Sequence, residues 1–242
     1  MSKKMTPRKR LFKSAIFPVI FVAVMWAVHL IQHYSGTTWA EYGILPRDFT
    51  GLRGILFSPF LHGSWSHLIN NTYPMLILGT AVFYFYPKSS WKVIIYGTLI
   101  GGFWVWVGAR SSFHIGASGL IYSLAFFVFF SGLFNKNRNM MGLSLITVFL
   151  YGGMVWGLLP IDYKISWEGH LFGAIMGVLL AWIYRKDGPQ RKKYSWDYDG
   201  DYSPIPESMW RGEDFSGSDR DREVQKGVRV SYHYKPKEEK DQ

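Results

Sequence analysis

The sequence predicts an all-α membrane protein: six transmembrane spans, a partly embedded first loop and a mostly disordered C-terminal tail. Three observations carry this. Hydrophobic residues make up 48% of the 242 and aromatics 18%, and the apolar residues are clustered rather than spread. The clusters are runs of about 20 residues, the length that crosses about 30 Å of hydrocarbon. The net charge of +10 is confined to the apolar part. Residues 1–184 carry 14 Lys and Arg against 4 Asp and Glu, whereas 185–242 carry 13 of each. An excess placed between spans reads as topology and not as a nucleic-acid surface. With no cysteine, disulfides, thiolate metal sites and a cysteine nucleophile are excluded.

Residues 1–14 form a basic segment with six Lys and Arg. The first span follows, Ala15–Tyr34; it is too long for a signal-peptide core and no Ala-x-Ala-type site follows it. His29 and His33 lie one turn apart near its end and read as an interfacial pair, not metal ligands. Residues 35–61 are interrupted by Gly36, Gly43, Pro46, Gly51, Gly54 and Pro59 yet rich in apolar side chains, which fits a loop lying in the membrane interface. Five further spans are predicted at His67–Tyr86, Trp91–Ala109, Ile115–Phe134, Met140–Leu159 and Trp167–Tyr184, so the membrane domain is 15–184. Six spans put both termini on one side. The basic segment and the connections on its side hold ten Lys and Arg, the opposite connections four, which predicts cytoplasmic termini. The tail 185–242 mixes both charge signs with few aliphatics and cannot bury a core; Val228–Tyr234 alternates weakly, as an added strand does. No internal repeat is present.

In this topology spans two, four and six begin on the extracytoplasmic side, and there the polar residues interrupt the apolar pattern. Span two opens with His62-Gly-Ser-Trp-Ser-His67 and reaches Asn71, four residues from His67 and on the same helix face. Span four opens with Gly116-Ala-Ser118-Gly119, with Tyr122 one turn on. Span six opens with Glu168-Gly-His170. Gly169, Gly173 and Gly177 form a small-residue stripe that favours close helix packing. Taken alone, Ser118 reads as a packing residue. Beside a histidine base it reads differently, because a serine hydroxyl becomes a nucleophile when its proton is taken. The Ser118 amide at a helix N-terminus, Asn71 and His67 are candidate oxyanion donors. Tyr122 is placed to lie against the His170 ring, the orienting task of a triad's third member.

These three motifs, in this order on alternate spans, resemble the rhomboid family of intramembrane serine proteases over about half of the chain. The resemblance implies a bundle of six transmembrane helices around a water-filled cavity open to the extracytoplasmic side. It implies a Ser118–His170 dyad, with His67, Asn71 and the Ser118 backbone at the oxyanion and Tyr122, Gly116, Gly119, Gly173 and His62 in support. Span five, with Phe149, Tyr151, Met154 and Trp156, would be the lateral gate. The implied partners are single-pass transmembrane proteins cut near the outer end of their helix, within a bilayer that the six-span layout suggests is a bacterial plasma membrane. No cofactor, metal or nucleic acid is expected, and oligomeric state is left open. The family's frequent Trp-Arg, eight residues before the first motif histidine, is here Leu52-Arg53, nine before His62. Glu168 is expected to face the surface.

Three other readings compete with this one. A histidine metal site lacks His-Glu-x-x-His spacing. A transporter would show broken helices in matching halves. A rhomboid-like protein that binds transmembrane helices without cutting them is the stronger rival, and the presence of both Ser118 and His170 argues against it.

Overall fold

The computed structural model describes residues 6–151, 156–161 and 165–189, all within the unit Met1–Lys192. Residues 1–5, Met154, Val228–Tyr234 and the tail beyond 189 lie outside the described residues. Among these residues the architecture is all-helical: α1 (Pro7–Ser35), a one-turn α2 (Gly54–Phe57), α3 (Trp65–Phe85), α4 (Ser90–Gly108), α5 (Ser118–Asn135), α6 (Arg138–Tyr151) and α7 (Trp167–Ile183). α1, α4 and α5 are long and apolar enough to cross a membrane, and α6 and α7 are shorter apolar helices. α3 has 21 residues but carries His67, Asn70, Asn71 and Thr72 in its first turns. Large apolar side chains such as Leu11, Ile16, Leu145, Phe149 and Trp182 face outward. An outer surface of this kind is stable in lipid, not in water. The chain is an integral membrane protein.

α1 begins eight residues before the apolar run, with Pro7 in its first turn. Proline suits that position because its missing N–H would find no intrahelical acceptor there. The helix ends at Gly36 in the left-handed region, φ 63°, where the Gly36 and Thr37 N–H groups donate to the His33 and Gln32 carbonyls. This is the Schellman closure glycine permits. His29 is buried against the protein, with Nδ1 3.1 Å from the His62 carbonyl. His33, one turn on, is exposed.

The first loop is a chain of short helical turns, pinned along α4 and before α5. Ile44 and His114 exchange both backbone hydrogen bonds, at 3.0 and 2.9 Å. The Arg47 guanidinium donates to the Ala109 carbonyl at 2.7 Å, and Trp106 Nε1 to the Asp48 carbonyl at 2.7 Å. Arg53 lies over the Tyr42 ring at 4.5 Å, a contact internal to the loop. A Cβ on Gly54 would strike the Gly43 backbone, so these glycines are contact points as well as breakers.

α5 is the central helix, with ten of its 18 residues buried, and it packs against α3, α4, α6 and α7. The stripe on α7 is what brings these two helices close. A Cβ on Gly173 would strike the Gly119 carbonyl oxygen, and one on Gly177 the Ser123 carbonyl oxygen. After α7 the chain turns at Tyr184–Gly188, with Asp187 N–H donating to the Tyr184 carbonyl at 2.9 Å. The expected domain end at 184 therefore falls inside this turn.

Candidate active site

Ser118 is the first residue of α5, and His170 lies in the first turn of α7. The Ser118 Oγ and His170 Nε2 are 2.9 Å apart. On the other ring edge, His170 Nδ1 is 2.9 Å from the Gly157 carbonyl. A carbonyl only accepts, so Nδ1 carries the proton and Nε2 presents its lone pair to the serine hydroxyl. Tyr122 stacks on the imidazole with centroids 4.2 Å apart and 7° between planes. The Gly157 carbonyl was not legible in the sequence, because a main-chain acceptor has no side-chain signal. The absence of a side chain at Gly157 matters too: a Cβ there would strike the Tyr122 hydroxyl.

The oxyanion candidates converge on the residue two before the serine. Gly116 has φ 106°, a region that disfavours other residues. A Cβ built on it would fall 2.5 Å from His67 Nε2 and 3.7 Å from Asn71 Nδ2. The Gly116 N–H donates to the Ser58 carbonyl at 2.8 Å, tying this turn to the first loop. Ser64 caps α3 by accepting from the His67 N–H at 3.2 Å, which sets the start of the helix that carries both candidate donors. Buried Asn71 gives one amide hydrogen to the His67 carbonyl at 3.0 Å, leaving its second. The N–H of Ser118, at the first position of α5, has no intrahelical acceptor.

His62 packs under this group, its ring 4.9 Å from that of His67. Burial, reinforced by the neighbouring His67, holds its imidazole down at about 3, so His62 stays neutral. Glu168 does not face the surface. It is buried, with Oε1 3.7 Å from Arg110 Nε; the partner lies 58 residues away, and local spacing carries no sign of a pairing over that distance. A cavity of about 50 Å³ borders Ser118 and Gly119, with His114, Thr98 and Ser166 also on its wall. Of the expected gate residues, Phe149 and Trp156 are exposed; Tyr151 ends α6, and Met154 lies outside the described residues. Among the described residues no cluster of histidine and carboxylate side chains has metal-binding geometry.

The site thus sets a serine hydroxyl on a histidine ring nitrogen, both at helix starts, in a polytopic helical membrane protein. The Rhomboid domain matches residues 50–187, more than half of the chain, which therefore belongs to the rhomboid family. Uncharacterized proteins of Mycobacterium bovis and Mycobacterium tuberculosis are similar to it, each 36% identical over 200 residues, 77% of this chain and 81% of the relative. A further uncharacterized protein, from Mycobacterium leprae, is 32% identical over 206 residues, 81% of both chains.

Proposed function

We propose that this rhomboid is an intramembrane serine endopeptidase that cleaves single-pass transmembrane proteins near the extracytoplasmic end of their helix. The observation that carries the reading is the 2.9 Å contact between Ser118 Oγ and His170 Nε2, with Nδ1 anchored on the Gly157 carbonyl. His170 Nε2 takes the hydroxyl proton as Ser118 Oγ bonds to the scissile carbonyl carbon. The imidazolium so formed is stabilised by the Gly157 carbonyl dipole and by the stacked face of Tyr122. The Ser118 N–H, the spare Asn71 N–H and His67 are the donors for the oxyanion. His170 then returns the proton to the leaving amine. Water, deprotonated by the same base, splits the acyl-enzyme and regenerates Ser118. The charge bias supports cytoplasmic termini, and the mycobacterial relatives support a bacterial plasma membrane.

The test is cleavage of a reconstituted single-pass substrate, together with labelling by a fluorophosphonate probe. Ser118→Ala and His170→Ala are each expected to abolish cleavage in folded protein, and Ser118→Ala to abolish labelling. Cleavage by Ser118→Ala at the wild-type rate sinks the mechanism. A folded wild type that binds substrate but neither cleaves it nor takes the label would instead be a helix-binding rhomboid-like protein.

A further inference from the structure

A second contact joins the two helix starts that carry the dyad. His114 is buried; its Nδ1 is 2.6 Å from Ser166 Oγ and its Nε2 3.1 Å from the Arg110 carbonyl. His114 stands four residues before Ser118, and Ser166 four before His170, so a second serine–histidine contact, with the two residue types exchanged, lies four residues upstream on both segments. Its hydrogens are assigned by the same logic. The Arg110 carbonyl accepts, so Nε2 carries the proton and Nδ1 accepts from the Ser166 hydroxyl.

Both partners are tied directly to the dyad. The Ser166 carbonyl accepts from the His170 N–H at 3.2 Å, while the His114 backbone is paired with Ile44 on the first loop. Between His114 and Ser118 lies the constrained Gly116 turn, so displacement of the ring carries the serine with it. Arg110 adds to the same seam, donating to the Ile165 carbonyl at 2.7 Å beside its pairing with Glu168. Gly169 fits there because a Cβ would come within 2.8 Å of Ser166 Oγ. Burial keeps His114 below the ordinary imidazole value, which favours the neutral ring that this pattern needs.

We infer that His114 and Ser166 are positioning residues: a clamp between the loop before α5 and the start of α7 that holds Ser118 Oγ in line with His170 Nε2. The inference rests on the proposed protease reading. The test uses the full chain in detergent with a fluorophosphonate probe, recording both the labelling rate constant and the final labelled fraction. His114→Ala and Ser166→Ala are expected to lower the rate constant by about tenfold or more, with the final fraction unchanged. The double variant should be no slower than the slower single one, because both remove one contact. His114→Asn, whose Oδ1 can accept from Ser166 as Nδ1 does, should stay within about threefold of wild type. Where the alanine variants do not fold, Ser166→Thr and Ser166→Val replace them: they share a shape, and only threonine keeps the hydroxyl. Equal rates for that pair, or a lowered final fraction at an unchanged rate constant, overturn the clamp and leave a merely structural contact. Wild-type labelling that persists in Ser118→Ala overturns the protease reading and the clamp with it. Labelling that depends on Ser118 but is indifferent to 114 and 166 overturns the clamp alone.

Discussion

Replacing Gly173 by alanine tests whether helix approach sets the geometry of the dyad. The new Cβ would sit 3.0 Å from the Gly119 carbonyl carbon and 3.3 Å from its Cα, and closer still to the carbonyl oxygen. Ordinary Cβ contacts begin near 3.4 Å. The obstacle is backbone, so no rotamer change relieves it; the helices must part by roughly 1 Å. Gly119 adjoins Ser118, and Gly173 lies one turn from His170, so the separation falls on the dyad itself. A contact of 2.9 Å would open to about 3.9 Å, outside hydrogen-bond range. A misplacement of that size costs on the order of 100-fold in rate, and overpacking costs about 1–3 kcal/mol of stability. The assay is the fluorophosphonate labelling rate beside a thermal melt in detergent. Gly142→Ala on α6, where a Cβ meets nothing within 4 Å, is the control expected to leave the labelling rate unchanged and not to lower stability. Labelling of folded Gly173→Ala at the wild-type rate would refute the reasoning.

Two further outcomes follow from the site. Tyr122→Phe keeps the ring that stacks on His170 and should label within about threefold of wild type. Tyr122→Ala should lose about two- to tenfold, the value of an aromatic contact of ~0.5–1.5 kcal/mol; equal rates for the two would remove the orienting role. For His62, the folded-state pKa of about 3 lies below the ordinary 6.5. The unfolded chain therefore binds the extra proton between those values, and stability falls as pH drops from 6.5 towards 3. Thermal melts at about pH 7.5 and about pH 5 should show a larger acid-induced loss in wild type than in His62→Gln. Equal losses would sink this assignment.

The sequence made legible what side chains signal. Apolar runs located the long helices, and the polar interruptions at His67, Ser118 and His170 marked one end of three of them. The start of α1 was missed because hydropathy measures the apolar run, whereas the helix continues through Arg8–Lys13. The Gly157 carbonyl was out of reach because every residue carries one, and its partner was 13 residues away. Glu168 was misread for a different reason. A lone carboxylate at a helix start belongs at the surface by default, and only folding brings Arg110 to it. The loop glycines read only as breakers in the sequence, which shows their conformational freedom but not the backbone passing against Gly54.

The packing of the Gly116–Gly119 turn and the nucleophile role proposed for Ser118 draw on one arrangement. Gly119 meets the Gly173 and Gly169 backbones, and Ser118 beside it meets His170. A base cannot approach a helix-start serine this closely unless the helices themselves do, and small residues at the crossing are what allow that. Stability and reactivity should therefore be coupled at the crossing and separable at the dyad. Bulk at 119, 173 or 177 must lower both together, because one separation causes both losses. On the proposed mechanism, removing the Ser118 hydroxyl or the His170 ring should end reactivity while the glycine contacts persist. A stripe variant with full stability and no reactivity, or the reverse, would mean that something other than the α5–α7 approach positions the base.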